Sequence, residues 1–440
     1  MCKNRKRTPF MEYFREDGFM RFSRLMWLIL GASALLAQPA ESPSRRVFPR
    51  GSTDDSIGVW HARPPLWTRG RYLAAPPTTT TGEPYVTPSQ MASIYGIQAS
   101  SAWPISATPT LAIVDAYDSP NAEADLGVFC MKYGLPTCTT ANGCFSKVNQ
   151  NGGKIVPRRN AGWESEINLD TQWAHAIAPY ANILLVEANS SSDADLFAAV
   201  NYAKQHASVV SMSWSGPEWQ GQSYYDNSVF KQTGVTFLAA SGDSDAEVGY
   251  PAASANVIAV GGTKFATNSQ GYVVLPATET GWTDQSGGSG GGCSVYTPQP
   301  PFQKKGPNGS WVPSATCTMR GIPDVAMDAD PASGVLVYIS RQGGWWTYGG
   351  TSLACPMFAG IIVNVNSYRA STWSKSTVSA PLNTALADLY AAADANYGMY
   401  FNDIKSGGSP FSSGPNWDFV TGLGSPKAGP LMSYLGSAKQ

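Results

Sequence analysis

The sequence predicts an α/β fold in which a parallel β-sheet is covered by helices on both faces. Short apolar runs of strand length alternate with segments of helical pattern, as in βα units. Such alternation is typical of a parallel sheet whose two faces are both buried. Charged residues are only 14% of the chain, and glycine and proline are plentiful, which favours a loop-rich α/β protein over a helical bundle.

The individual elements follow from length, apolar character and the residues that end them. The predicted strands are Thr110–Val114, Ala181–Glu187, Val209–Trp214, Thr236–Ala240 and Val257–Val260. The predicted helices are Glu164–Ile177, which ends before a proline, and Asp193–His206. The chain of 440 residues is long enough for a large domain with a deep core. Its formal net charge of −1 gives no basic excess, so we expect no nucleic-acid partner.

The N-terminal region 1–40 carries features of a signal peptide. Leu25–Ala37 is an apolar run of about 13 residues, too short to span a bilayer. Arg21 and Arg24 precede the run, and Ala32-Ser33-Ala34 is a candidate cleavage site. We therefore expect a secreted protein, extracellular or periplasmic, without a stable membrane span.

Residues 41–84 are rich in Pro, Arg, Ser and Thr and lack sustained periodicity, so they are predicted as a linker to a domain spanning 85–440. Seven cysteines fit an oxidising compartment. Two pairs flank short loops and are candidate disulfides: Cys138 with Cys144, and Cys293 with Cys317.

The segment GGTSLACP places Ser352 at the start of an apolar helix. Amides in the first turn of a helix lack internal partners, so the Ser352 amide and the helix dipole would favour an oxyanion. The serine is thus a candidate nucleophile. An ordinary N-cap serine is the alternative.

Glu166 and Asp170 are four residues apart on a predicted helix, so their carboxylates lie about 40° apart on one face. Two acids there repel, and no Lys or Arg one turn away offsets the cost. A Glu could accept the serine proton while the Asp behind it holds and tunes the Glu. The alternative is a solvated acidic face.

Asp243 comes just after an apolar strand, where ligands bind in open α/β sheets. In its protonated form it could donate a hydrogen bond to an oxyanion. The alternative is a turn-forming Asp.

Taken together, seven segments resemble the catalytic domain of the sedolisin family, in the family's order and over nearly all of 85–426. They are YVTPSQMASIYGI, AIVDAYDSPNAEADL, EINLDTQWAHAIAP, SGDSDAEVGYPAASANVIAVGGT, RGIPDVAMDADP, GGTSLACPMFAG and NDI…WDFVTGLGSP. The resemblance implies a subtilisin-like fold and a serine-carboxyl endopeptidase acting on proteins or peptides through an acyl-enzyme. It implies Ser352 as nucleophile, Glu166 as base, Asp170 as its partner and Asp243 as the protonated acid of the oxyanion hole.

The resemblance also implies one structural Ca²⁺. Its ligands would be the carboxylates of Asp403 and Asp418 and the backbone carbonyls of Ile404, Gly414 and Asn416. Calcium prefers such oxygen sets. The family commonly has Gly at the place of Asn416.

Sedolisins usually carry a long N-terminal prodomain that assists folding and blocks the site. Here only about fifty residues separate the signal from Tyr85. Either this chain folds without a prosegment, or the linker does part of its work.

A Glu base also predicts activity in acid. The reference pKa of Glu is about 4.3 and that of His about 6.5, so at low pH a Glu is ionised where a His base is protonated. One alternative is a Ser–His–Asp peptidase using His175, which lies between Asp115 and Ser352 in the chain. However, His175 falls about 180° around the helix from Glu166, and the HGT segment of subtilisins is missing. Another alternative is an inactive secreted binding protein on a peptidase scaffold. We expect a monomer in either case.

Overall fold

The computed structural model describes residues 45–46, 62–71, 85–98, 108–269, 272–284, 287–313, 315–373, 381–382 and 384–438. All of them belong to one unit, Ser42–Gln440. The apolar run Leu25–Ala37 lies outside the described residues, so the signal peptide stays a prediction.

The elements are numbered in chain order. The strands are β1 Arg45–Arg46, β2 Trp67–Arg71, β3 Thr110–Ala116, β4 Phe145–Asn149, β5 Asn182–Ala188, β6 Val209–Met212, β7 Gly216–Pro217, β8 Thr236–Ala240, β9 Gly249–Tyr250, β10 Val257–Phe265, β11 Glu279–Gly281, β12 Gly292–Pro298, β13 Met319–Ile322, β14 Val325–Asp328, β15 Val335–Ile339, β16 Gly344–Gly349, β17 Phe401–Asn402 and β18 Ser425–Pro426. The helices are α1 Pro88–Tyr95, α2 Ala122–Tyr133, α3 Ala161–Ile177, α4 Asp193–Ala203, α5 Ser223–Ser228, α6 Thr351–Trp373, α7 Ala385–Tyr400 and α8 Ala428–Ser437.

The central sheet has the strand order β11-β10-β8-β6-β3-β5-β4, with β14 beside β10. All its pairs are parallel except β10 with β11. The five predicted strands are its central members. Parallel pairing brings the carboxyl ends of β3, β6 and β8 to one edge, where ligands bind in such sheets.

Helices cover both faces of this sheet, as predicted. Along β3, Leu111 and Ile113 join the buried cluster that contains α3 and α6 residues, whereas Ala112 and Val114 join the cluster that contains α4 residues. Side chains of a strand point alternately to opposite faces. Both faces of β3 are therefore apolar, which is why its sequence is a continuous apolar run.

Seven element ends differ from the prediction: strands β3 and β10 extend further, to Ala116 and Phe265, strand β5 is shifted by one residue to Asn182–Ala188, and α3, α4 and β6 differ at one end each. Helix α3 begins at Ala161 because the Asn160 side chain accepts hydrogen bonds from the Gly162 and Trp163 amides and so caps the helix. Helix α4 ends at Ala203 and strand β6 ends at Met212. Beyond α4, the polar residues Lys204, Gln205 and His206 lie in a turn, whereas Ser213 and Trp214 beyond β6 stay buried although the strand has ended.

Part of the segment predicted as a linker is folded against the domain. Strand β2 pairs antiparallel with β16 and completes a second sheet, in the order β1-β2-β16-β15. The preceding residues Ala62 and Leu66 are buried. Residues 62–71 have the composition of a linker but are folded, because strand pairing through backbone hydrogen bonds needs no apolar pattern.

Both candidate disulfides are formed, Cys138–Cys144 and Cys293–Cys317. Cys130 and Cys355 are buried thiols. No helix in the described part of the chain combines the length and apolar character needed to cross a bilayer.

Candidate active site

Helix α3 carries two of the candidate residues into the protein interior. Glu166 and Asp170 both have 0% exposure, as do most of their neighbours on the helix. A solvated acidic face is therefore wrong for this helix. Burying two carboxyl groups is costly unless their environment compensates, so Glu166 and Asp170 are candidates for a functional site.

Ser352 reaches the same place from the other side. Strand β16 ends at Gly349, and Gly350 turns the chain with φ +109° into α6, whose second residue is Ser352. The serine is fully buried, and α6 packs along α3. This packing sets the Ser352 hydroxyl facing the Glu166 carboxyl.

The edge of the central sheet supplies the remaining groups. Asp115 is near the end of β3, Ser213 follows β6, and Asp243 follows β8. Because these three strands are adjacent and parallel, their ends converge beneath the start of α6. The Ser213 hydroxyl donates to the Ser352 carbonyl at 3.3 Å.

The three carboxyl groups share one electrostatic environment. Burial raises the pKa of Glu166 well above its ordinary value, and the neighbouring Asp170 and Asp115 raise it further. Burial and Asp115 raise the pKa of Asp170 in the same direction. Burial alone raises the pKa of Asp115 to about 8. The carboxyl groups therefore hold protons well above the pH at which a free carboxylic acid ionises.

The candidate catalytic groups are adjacent without a formed hydrogen bond. Among the described residues, the side chains of Glu166, Asp170, Asp115 and Ser352 have no hydrogen-bond partner of normal geometry. The Ser352 hydroxyl still lies close enough to lower the pKa of Glu166, and Ser213 and Glu166 lower that of Asp170. Catalytic hydrogen bonds are often long before a substrate binds.

Asp243 is buried and firmly anchored. Its Oδ1 accepts hydrogen bonds from the Thr351 amide at 2.8 Å and the Thr351 hydroxyl at 2.9 Å. Its Oδ2 lies beside Gly350, 2.7 Å from where a β-carbon at that position would be. The second oxygen is thereby directed toward the turn that precedes Ser352.

The sequence of this chain matches the model of the subtilase family over residues 159–400, more than half of its length. The chain belongs to the subtilase family. Among similar curated proteins, kumamolisin from Bacillus sp. is 35% identical over 285 residues, which cover 60% of this chain and 50% of kumamolisin. Sedolisin from Pseudomonas sp. is 28% identical over 440 residues, covering 91% of this chain and 69% of sedolisin.

A solved structure agrees with these relatives. Pseudomonas sedolisin, a serine-carboxyl proteinase complexed with two molecules of pseudo-iodotyrostatin, has a TM-score of 0.65 and 27% identity. The match covers 80% of this chain and 98% of that one. The sedolisin resemblance and the subtilisin-like fold are thus confirmed. The chain spans about half the length of kumamolisin.

In this subtilase-family chain, His175 has a structural environment. It is buried, one ring nitrogen lies 2.8 Å from the Pro136 carbonyl oxygen, and burial lowers its pKa. Its other close neighbours are Cys138 and Cys144, which are joined in a disulfide and so are not thiolate metal ligands. These contacts agree with the expectation that His175 points away from Glu166 and is not part of a Ser–His–Asp site.

The order of residues in the chain suggests Asp115 only as a possible partner of His175 in a Ser–His–Asp set. In this member of the family it instead contributes a third carboxyl group beside Asp170 and Glu166. The available signal was an acidic residue inside an apolar strand, Leu111–Ala116, since a charged side chain is seldom fully buried without a role.

Tyr397 contacts two of the predicted calcium ligands, Asp403 and Asn416. Its hydroxyl donates to Asp403 Oδ1 at 3.2 Å and to the Asn416 carbonyl at 3.0 Å. Asp403 and Asp418 both raise the pKa of Tyr397, after burial. The Gly414 amide donates to Asp418 Oδ2 at 3.1 Å. Ile404 follows Asp403 directly in the chain.

This donor set fits a hard cation, with two carboxylates and several carbonyls on neighbouring loops. Asn416 has φ +67°, a left-handed conformation that Asn and Gly tolerate best. The difference from the family's usual Gly therefore leaves the loop conformation attainable. Lys405 Nζ, 3.3 Å from Asp403 Oδ2, supplies one positive charge near the set.

Proposed function

We propose that this chain is a secreted serine-carboxyl endopeptidase that hydrolyses peptide bonds through an acyl-enzyme on Ser352. The observation that carries the proposal is the buried convergence of Ser352 with the carboxyl groups of Glu166, Asp170 and Asp243. The alternative of an inactive binding protein has no comparable support, since each catalytic position has the residue that the chemistry requires.

In the proposed reaction, Ser352 Oγ attacks the substrate carbonyl while Glu166 accepts its proton. Asp170 and Asp115 stand behind Glu166 and share the proton within the buried cluster. The Ser352 amide and protonated Asp243 donate to the oxyanion. Glu166 then returns the proton to the leaving amine, and a water molecule hydrolyses the ester on Ser352 by the same path in reverse.

The proposed activity lies on the acidic side of neutrality, because Asp243 must keep its proton while the Glu166 cluster holds at least one ionised carboxylate. Since burial and the acidic neighbours Asp170, Asp115 and Asp243 raise the pKa of Glu166, the acidic limb of the pH–activity profile lies above the pH expected for a free Glu.

We further propose that the site at Tyr397 binds one Ca²⁺ through Asp403, Asp418 and the carbonyls of Ile404, Gly414 and Asn416. The ion would join two loops at the C-terminal end of the domain. Secretion is supported by the apolar run near the N-terminus and by the two disulfides, which form and persist in oxidising compartments.

Hydrolysis of denatured protein by the purified chain across acid pH tests the function. Ser352→Ala and Glu166→Gln should each lose at least about 10³ in turnover, because nucleophile and base act as a unit. Ser367→Ala, a buried serine further along α6, is the matched control and should keep wild-type turnover. Circular dichroism shows that each variant is folded. Near-wild-type turnover in Ser352→Ala would exclude the assignment.

A further inference from the structure

The disulfide Cys138–Cys144 and the imidazole of His175 form a side-chain cluster outside the candidate active site. The two sulfurs and a ring nitrogen of His175 lie within 4.8 Å of one another. Cys138 and His175 are fully buried, and Cys144 is half-buried. His175 comes nine residues after Glu166 on α3, which places it on the opposite side of the helix. The cluster is therefore separate from the catalytic carboxyl groups.

The contacts of the His175 ring determine which nitrogen carries the proton. Nε2 lies 2.8 Å from the Pro136 carbonyl oxygen, which can only accept a hydrogen bond, so Nε2 is the protonated nitrogen. Burial lowers the pKa of His175, which keeps the ring neutral near pH 7. Nδ1 therefore has a free lone pair, and it has no hydrogen-bond partner among the described residues. A buried acceptor of this kind is costly unless another group binds it.

This environment is the one that a metal-binding histidine needs. Such histidines commonly donate their other ring N–H to a backbone carbonyl, which orients the ring, and Pro136 supplies that carbonyl here. Zinc binds sulfur at about 2.3 Å and nitrogen at about 2.0–2.1 Å, so ligand atoms around a tetrahedral ion are roughly 3.5–3.8 Å apart. The ring nitrogen of His175 is already close to this distance from both sulfurs.

The loop that carries the two cysteines is held by contacts other than the disulfide. Asn142 Oδ1 accepts hydrogen bonds from the amides of Thr139 and Cys144, both at 3.0 Å. Glu123, on α2, accepts from the amide and the hydroxyl of Thr140, both at 2.8 Å. These contacts do not require the S–S bond. When that bond opens, the loop keeps both sulfurs beside the imidazole.

The disulfide can be reached from solvent on one side. Cys144 is half-buried, and the loop residues 140–143 are exposed, so a small thiol can approach from this side. A dithiol breaks the S–S bond by supplying two electrons and two protons, and it closes to its own disulfide. A divalent cation then displaces the two thiol protons, which forms two metal–sulfur bonds and one bond to the lone pair of His175 Nδ1.

We propose that Cys138, Cys144 and His175 form a binding site for a thiophilic divalent cation such as Zn²⁺ when their disulfide is reduced. Thiolate and imidazole ligands favour Zn²⁺, whereas Ca²⁺ and Mg²⁺ prefer oxygen ligands. Three protein ligands leave the fourth tetrahedral position to water. In the oxidised protein the two sulfurs are bonded to each other, and the site is closed to metal.

The two states connect different parts of the chain. The disulfide closes a loop with a sequence separation of only 6 residues, whereas the cation would join this loop to α3 through His175. The cation would thus replace a local link by one to the helix that carries Glu166 and Asp170. This proposal goes beyond the proposed peptidase function and does not depend on it.

Titration of the reduced protein with Co²⁺ in the absence of oxygen tests the site, because cobalt–thiolate bonds absorb in the near ultraviolet. A phosphine opens the disulfide and becomes the phosphine oxide, with water supplying the oxygen and the two protons. We expect one cobalt–thiolate site per chain, displaced by Zn²⁺, and no such absorption from the oxidised protein. Cys138→Ser/Cys144→Ser should bind at least about 100-fold more weakly, since losing contacts outside the ligands alone costs about 10–100-fold.

The matched control is Cys293→Ser/Cys317→Ser, which removes the other disulfide and should bind Co²⁺ as tightly as the reduced wild type. His175→Phe keeps a buried ring without a ligand atom and should weaken binding at least about tenfold. Circular dichroism shows that each variant is folded.

A second measurement is the Tm of the reduced proteins with and without Zn²⁺. Zinc should raise the Tm of the wild type by mass action and should have little effect on His175→Phe. Each protein is compared with itself, so a lower starting Tm in His175→Phe does not obscure the result. Missing thiolate absorption in the reduced wild type, or wild-type affinity in Cys138→Ser/Cys144→Ser or His175→Phe, would overturn the site.

Discussion

At the scale of single residues, the site is defined by carboxyl groups that differ in their surroundings. Glu166, Asp170 and Asp115 are buried with few compensating contacts, and their pKa values rise. Asp243 instead accepts two hydrogen bonds from Thr351 at one oxygen, which leaves its other oxygen beside Gly350. Environments that separate the behaviour of neighbouring acids are a way to assign proton donor and acceptor roles.

Two substitutions distinguish an oxyanion donor at Asp243 from a turn-forming residue. Asp243→Asn keeps the shape and a donor but cannot ionise, so we expect measurable activity that extends toward neutral pH. Asp243→Ala should lose roughly 10²–10³ in turnover, the usual cost of one oxyanion donor. Turnover against pH, with folding checked at each pH, compares the variants with wild type. Wild-type turnover in Asp243→Ala would return Asp243 to the interpretation of a turn residue.

At the scale of elements, the turn between β16 and α6 positions Ser352. Gly350 has φ +109°, which L-residues rarely adopt, and a side chain there would collide with Pro65 and Asp243. Gly344, at the start of β16, has a similar φ of +118°. However, a β-carbon added at Gly344 would lie no closer than 3.9 Å to another atom, a ring carbon of Tyr338. The two glycines therefore differ in crowding rather than in backbone conformation.

We expect alanine substitution at Gly344 and at Gly350 to have different effects on stability and turnover. Both Gly344→Ala and Gly350→Ala should lower the free energy of unfolding by about 1–3 kcal/mol through backbone strain. Gly350→Ala should lose more stability and should also lower turnover, because the Cβ displaces the oxyanion site. Urea unfolding and peptide hydrolysis measure the two effects. Equal stability and turnover in both variants would mean that the turn tolerates a side chain beside the catalytic serine.

At the scale of the whole molecule, the buried acids link stability to pH. Asp115 titrates at about 8 in the folded protein and near 4 when unfolded. Its proton therefore stabilises the fold below pH ~4, and this contribution is lost as pH rises toward 8. Between these two pKa values, each pH unit changes the free energy of unfolding by about 1.4 kcal/mol at most.

We accordingly expect the wild-type Tm to fall between pH 5 and pH 8, and Asp115→Asn to fall less over the same range. Comparing the two proteins cancels the titration of groups that Asp115 does not perturb, including His175, whose lowered pKa acts in the opposite direction below neutrality. Loss of the Asp115 charge also lowers the pKa of Glu166 and Asp170, which flattens the curve of the variant in the same direction. Parallel Tm–pH curves for the two proteins would show that Asp115 is not a buried neutral acid.

The calcium proposal also belongs to the whole molecule, because an ion bound only by the folded state raises stability by mass action. A chelator should lower the Tm of the wild type, and Asp418→Ala should remove that dependence. Ser433→Ala, an exposed position on α8, is the control and should respond to chelator like the wild type. An unchanged wild-type melting curve after chelation would count against a bound ion.

The sequence by itself determined the fold class and the central strands, and it named the candidate disulfides and the candidate catalytic residues. Apolar runs such as 236–240 predict buried strands from neighbouring residues alone. The segment GGTSLACP likewise predicts a turn into a helix without reference to the rest of the chain. These features depend on residues close together in the chain, so a linear pattern contains them.

Only the tertiary structure decided which groups share an environment. Asp115, Glu166 and Ser352 come from a strand and two helices far apart in the chain, and only their packing makes the carboxyl groups raise one another's pKa. The position of residues 62–66 was equally unpredictable. Their contacts are backbone hydrogen bonds to Ser215 and Ser352, which any sequence can form and which therefore leave no compositional trace.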